Sequence, residues 1–172
     1  MTTTMEPLVE TLTEDARWHA FELERVAEDV AHAVMEEEAL GSVGFAISLL
    51  GCCDTRIADL NADFRGRPQP TNVLSWPSEE RGAQSDGGVP GRPRPGRAGR
   101  PKELGDIAIA WETCEREAVE QGKPMGDHVT HLLVHGVLHL LGYDHVRDGD
   151  AALMEAAETR ILAKMGLANP YE

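Results

Sequence analysis

Five of the seven histidines in this 172-residue chain fall between His128 and His145. Their spacing constrains the fold more than any other feature. His131, His135 and His139 recur every four residues inside the apolar stretch from Gly126 to Leu141, a period that puts them on one face of a helix. The outer two are eight residues apart, about 12 Å along a helix axis, so all three cannot share one ion. Two neighbours can chelate, and the third ligand must come from elsewhere. Gly142 stands where a helix end takes a left-handed residue. It lets the chain reverse through Tyr143 and Asp144 and return His145 to the helix face. The unit is then His135-x3-His139-x5-His145. Three neutral imidazoles with a fourth position open are the donor set of a catalytic zinc. His131 reads as a neighbour of the site, and His19, His32 and His128 as structural.

The same histidine spacing occurs in zinc peptidases, where a Glu follows the first histidine and acts as the base. Here that position is Gly136, which argues against peptide hydrolysis. A metal centre without that carboxylate suits a substrate on which a metal and a cation do most of the work. Phosphodiesters fit, because charge spreads over phosphate oxygens that a metal and an Arg stabilise.

The remaining chain supplies a frame. Pro7–Thr13 reads as an edge strand, Trp18–Leu40 as one amphipathic helix and Val43–Leu50 as a buried strand. Asp54 caps a short helix carrying Ile57, Ala58 and Leu60, and Thr71–Trp76 is a strand stopped by Pro77. Residues 78–102 are rich in Gly, Pro and Arg and read as a long, mobile loop insertion. Leu104–Trp111 is a strand, Glu112–Gln121 a short helix, and Asp148–Met165 a closing helix with an apolar face. Met1–Glu6 reads as a frayed end and Glu36–Glu38 as a solvated face. Asp106 reads as a buttress of the metal site. The simplest assembly is one α+β domain over residues 1–172, with a small mixed sheet of about four strands packed with helices. The metal site sits on the penultimate helix and the turn after it.

Composition narrows the setting. The longest apolar run, Val43–Cys53, has 11 residues, against about 20 for a membrane span. The acidic N-terminus lacks the basic and apolar regions of a secretory signal. Cys52, Cys53 and Cys114 are an odd set without a CxxC, as in a reducing cytoplasm. They read as inert packing thiols. The net charge is −14, which opposes general RNA binding, but it is unevenly spread. Between Arg56 and Lys102 nine basic residues face five acidic ones, or +4; the rest holds 7 against 25, or −18. An acidic body therefore carries a basic middle segment.

The string from His135 to His145, HGVLHLLGYDH, resembles the signature of the YbeY family of bacterial endoribonucleases, also called rRNA maturation factors. Two further segments are similar to that family: Leu60–Gly66 followed by Pro70–Pro77, and Leu104–Ala110. The likeness runs from about Val43 to Tyr171. The Arg/Pro/Gly stretch from Arg81 to Lys102 is longer than a minimal family connection, and Trp76 stands where Phe is common in a buried aromatic position.

The resemblance implies a single-strand-specific, zinc-dependent endoribonuclease in the cytoplasm. It would act in maturation of ribosomal RNA, at the 3′ end of the 16S species, and in ribosome quality control. Its partners would be single-stranded RNA, ribosomal RNA and the ribosome, with no membrane. His135, His139 and His145 would be the ligands of one Zn2+, and Arg65 the functional arginine. His135 and Arg65 are then the catalytic candidates, Arg65 pairing with a phosphate through its planar fork. A structural pairing of Arg65 with Asp63 or another acid is the plainer reading of that residue. A water activated by the metal, His131 and Asp144 are all candidates for the base, and the ribose 2′-OH is an alternative nucleophile to water. The competing reading is a non-catalytic ribosome-associated factor whose three-histidine metal is structural.

Overall fold

The computed structural model describes residues 6–97 and 99–171. The N-terminal residues read as a frayed end lie outside them, apart from Glu6. Four strands form one mixed sheet: β1 (Val9–Thr13), β2 (Phe45–Cys52), β3 (Val73–Pro77) and β4 (Lys102–Ala110). The order is β1-β2-β4-β3, with β1, β2 and β4 parallel and β3 antiparallel to β4. Among the described residues six helices surround it: α1 (Ala16–Phe21), α2 (Leu23–Glu37), α3 (Asp54–Arg65), α4 (Trp111–Glu120), α5 (Met125–Leu140) and α6 (Asp148–Lys164). This is the expected single α+β domain. No described helix is long and apolar enough to cross a membrane.

The two-residue period of the strands sorts their side chains between two unequal faces. Phe45, Ile47 and Leu49 of β2 and Ile107 and Ile109 of β4 join the main core, with Val30, Val34 and Met35 of α2 and Leu133, Val137 and Leu140 of α5. Fully burying a side chain of this kind is worth about 1.5–3 kcal/mol, so this layer holds the fold. On the opposite face the described buried cluster is small: Cys52, Leu74, Ala108 and Ala110 of the sheet with Ile57 of α3. Trp76 belongs to that thin face. It is half-buried and packs on Phe64 with ring centroids 5.3 Å apart, rather than sitting in the core.

Several expectations need correction. The helix read over Trp18–Leu40 is broken at Glu22, whose φ of 66° is left-handed. That kink drops Trp18 into the core, where its indole N–H donates to the Cys52 carbonyl at 2.9 Å. Asp106 does not buttress the metal site. Its neighbour Ile107 faces α5, so alternation turns Asp106 to the other face, where it is exposed. Glu37 is not merely solvated: it binds Arg160, at 3.0 Å, and Lys164, tying α2 to α6. The thiols behave as anticipated. Burial pushes Cys52 up to about 12 and raises Cys114 as well.

The segment between β3 and β4 is irregular, as its composition suggests, but it is not loose. Arg81 is buried. Arg92 donates to the carbonyls of Glu38 and Ala39 at 2.9 and 3.0 Å. Arg147, after the metal-site turn, reaches back to the carbonyls of Ala83 and Gln84. Three arginines thus supply the anchoring that the missing apolar side chains cannot.

Candidate metal centre

Helix α5 runs through the middle of the molecule and is buried along most of its length. The stripe His131, His135 and His139 interrupts that apolar surface and is only partly covered. The helix ends as its glycine foretells. The Gly142 amide donates to the His139 carbonyl at 3.0 Å and the Tyr143 amide to the Leu138 carbonyl at 3.1 Å, the paired bonds of a Schellman turn. Gly142 has φ 103°, and a Cβ there would lie 2.6 Å from the Arg81 carbonyl oxygen. Both the backbone angle and the close approach require glycine.

The turn returns His145 to the helix. The donor atoms of His135, His139 and His145 all lie within 4.8 Å of one another, and Nε2 of His135 and Nε2 of His139 are 3.0 Å apart. Two nitrogens at that distance facing one point, with a third imidazole beside them, suit a tetrahedral cation with one position left over. Burial, reinforced by repulsion from His135 and His145, lowers His139 to about 4. Its ring is therefore neutral near pH 7 and its lone pair is available to a metal.

A residue that sequence reasoning missed lies behind this group. Glu158, on α6, is fully buried. One carboxylate oxygen is 2.5 Å from His135 Nδ1. The other is 3.2 Å from His131 Nε2 and accepts from the Tyr171 hydroxyl. Burial by itself would raise this carboxyl; the hydrogen bonds of His131, His135 and Tyr171 outweigh it and hold the group at about 2. A signal was present in the sequence. Met154, Glu158 and Leu162 are spaced by four on the apolar face of α6, and a lone acid on such a face needs a partner.

Arg65 closes the other side. It is the last residue of α3, exposed, and among the described residues its side chain makes one hydrogen bond, a long one of 3.4 Å to the Ser75 carbonyl. No carboxylate lies within ion-pair distance of it among the described residues, so the pairing with Asp63 is not made. Arg65, Asn72, the three histidines and Tyr171 line one cavity of about 300 Å3. His131 opens on it too, but its Nε2 is engaged by Glu158. Asp144 is exposed and accepts from the His145 amide at 2.7 Å. At Gly136 a Cβ would lie 3.3 Å from Ile107 Cδ1. A carboxylate there would enter the packed contact between α5 and β4. His128 lies outside the site, buried, with Nε2 3.0 Å from Glu117, and His32 pairs with Glu28.

The family model for Endoribonuclease YbeY matches residues 8–166. The chain belongs to the endoribonuclease YbeY family. Among its relatives, the Endoribonuclease YbeY of Cereibacter sphaeroides is 58% identical over 167 residues, 97% of this chain and 100% of that protein. That of Dinoroseobacter shibae is 52% identical over 178 residues, 100% of this chain and 98% of that protein. The solution structure of a Thermotoga maritima protein, TM1509, covers 92% of this chain and 91% of its own with a TM-score of 0.54. At 21% identity that likeness concerns the fold.

Proposed function

We propose that this chain is a zinc-dependent endoribonuclease that cuts single-stranded RNA in the cytoplasm. Its role would lie in ribosomal RNA maturation, at the 3′ end of the 16S species, and in ribosome quality control. One observation carries the reading. Three imidazole donors within 4.8 Å of one another share a cavity with an arginine that makes no ion pair among the described residues. A group able to hold a cation and a guanidinium then line the same cavity, which suits a phosphodiester.

In this reading His135, His139 and His145 hold the metal, which supplies Lewis-acid stabilisation of charge on phosphate oxygens. Arg65 binds the scissile or adjacent phosphate through its fork. Its freedom from carboxylates leaves that fork available. The cavity is about 300 Å3 and is walled by Val73, Leu132 and Tyr171. Zinc is the preferred ion because three imidazoles suit it, although nickel, copper and iron also accept imidazole. Metal analysis of untagged protein identifies the ion.

The test is cleavage of single-stranded RNA by purified protein, with and without chelator, alongside His135→Ala and Arg65→Ala. His135→Ala is expected to abolish cleavage. Arg65→Ala should reduce it about 10²–10³-fold, with unchanged circular dichroism. Activity near wild type in both variants would sink the assignment. Metal-loaded wild-type protein that leaves RNA intact but still binds ribosomes would favour the non-catalytic ribosome-associated factor.

A further inference from the structure

Glu158 is difficult to explain as packing. The buried face of α6 around it consists of Met154, Ala157, Ile161 and Leu162, each at most 1% exposed. An ionised carboxylate in such surroundings is destabilising unless it is fully partnered, and an apolar side chain of similar volume is commonly as good or better for stability. The partners of Glu158 are therefore informative. All three, His135, His131 and Tyr171, line the cavity of the metal centre.

The chemistry of the closest contact has one sense. A carboxylate can only accept, so His135 Nδ1 must carry the proton and donate to it. The lone pair of His135 then lies on Nε2. That same Nε2 is the atom 3.0 Å from His139 Nε2, on the side where the third histidine closes in. An imidazole with no such partner would distribute its proton between both nitrogens and turn about its side-chain torsions.

We infer that Glu158 is the positioning residue of the metal centre: it holds His135 as the Nδ1-protonated tautomer with Nε2 turned to the metal. Through its second oxygen it also ties His131 and the C-terminal Tyr171 to the same centre. This rests on the three-histidine metal site proposed above. Partners of this kind orient metal-bound histidines, and their loss typically weakens metal affinity about 10- to 100-fold.

The test is Zn2+ affinity of the full chain, measured by competition with a chromophoric chelator, for wild type, Glu158→Gln, Tyr171→Phe and His135→Ala. Glu158→Gln keeps the volume and removes the charge. It is expected to bind Zn2+ about 10- to 100-fold more weakly, while Tyr171→Phe stays within about threefold of wild type because the carboxylate remains on His135. His135→Ala should lose binding. Affinity of Glu158→Gln within threefold of wild type, with binding lost in His135→Ala, overturns the inference and leaves the metal site standing. Wild-type protein that binds no Zn2+ overturns the metal site itself. A merely structural Glu158 would lower the urea midpoint of the Gln variant without changing the affinity of the folded protein. Where Glu158→Gln does not fold, the wild type decides: 15N-histidine NMR of the Zn2+-loaded protein should show His135 protonated at Nδ1, and metal ligation through Nδ1 overturns the inference.

Discussion

The guanidinium of Arg81 donates to the carbonyl of Leu140 at 2.8 Å. Leu140 is the last residue of α5, so a cation from a loop 59 residues earlier caps the end of the helix that carries the three histidines. The position is favourable, because helix C-termini carry unpaired carbonyls and partial negative charge. The same side chain donates to the Ser78 hydroxyl at 3.0 Å and, at 3.4 Å, to the Leu104 carbonyl. Arg81→Ala should lower the unfolding free energy by about 2–4 kcal/mol, since it leaves buried carbonyls without donors. Urea titration measures this, and a change below about 0.5 kcal/mol would contradict the capping role.

Gly142→Ala should weaken the metal centre without touching a ligand. A Cβ would meet the Arg81 carbonyl oxygen at 2.6 Å at a φ of 103°. The turn must shift, and His145 shifts with it. The expected cost is about 1–3 kcal/mol of stability, accompanied by weaker Zn2+ binding. Unchanged affinity and stability together would show that the turn does not depend on this glycine.

Acid should release β1 from α2. Glu28 receives the backbone amides of Leu8 and Val9 at 3.0 and 2.9 Å, and the His32 ring at 2.7 Å. Burial tends to raise its carboxyl, but the Val9 and Leu8 amides and His32 prevail and hold it below the usual value. A depressed carboxyl stabilises the fold above its unfolded pKa, about 4.3. That contribution is lost as pH falls through the lower folded value. Glu28→Gln should therefore cost about 1–2 kcal/mol at pH 7, and the gap to wild type should narrow below pH 4. A gap independent of pH in urea unfolding would refute the linkage.

Metal removal should abolish cleavage and leave the fold. The main core spans β1, β2, β4, α2, α5 and α6 without help from the three histidines, so circular dichroism should survive a chelator. Zn2+ at about 1,000 times its Kd should add about 4 kcal/mol. For a chain of this size that raises the melting temperature by about 8–16 °C. The shift should vanish in His145→Ala, and a chelator-treated protein that unfolds would contradict the independence of the core.

RNA binding should weaken only gently with salt. Arg81 is buried and Arg147 is engaged by Asp150 at 2.6 Å, and of the described Arg and Lys residues Arg65 alone lines the three-histidine cavity, so Arg65 and the metal are expected to be the main phosphate contacts. With about two or three phosphates neutralised, the logarithmic slope for single strands should be about −1.4 to −2.1. Fluorescence anisotropy at several salt concentrations measures it; a slope steeper than about −4 would mean that the basic middle segment binds RNA along its length.

Much of the frame was legible because its signals are local. The apolar strand-forming runs of β2 and β4 and the Gly142 stop all act within a few residues, and their elements form within about two residues of expectation. The break at Glu22 was not legible, since the amphipathic pattern continues through it and only the docking of Trp18 against Cys52 selects the kink. Arg81 resembled its exposed neighbours until Leu104 and Leu140 supplied carbonyls.

The grouping of the three histidines was determined by sequence alone. Helical spacing places His135 beside His139, and a glycine with positive φ turns His145 back to them. The tertiary structure decided which atoms those histidines present and what surrounds them. Glu158 reaches His135 from another helix, 23 residues away, Arg65 arrives from α3, and alternation along β4 sends Asp106 to the far face. The physical reason is range. Backbone geometry repeats over a turn or a strand pair, whereas the pairing of a buried charge depends on which helices the core brings into contact.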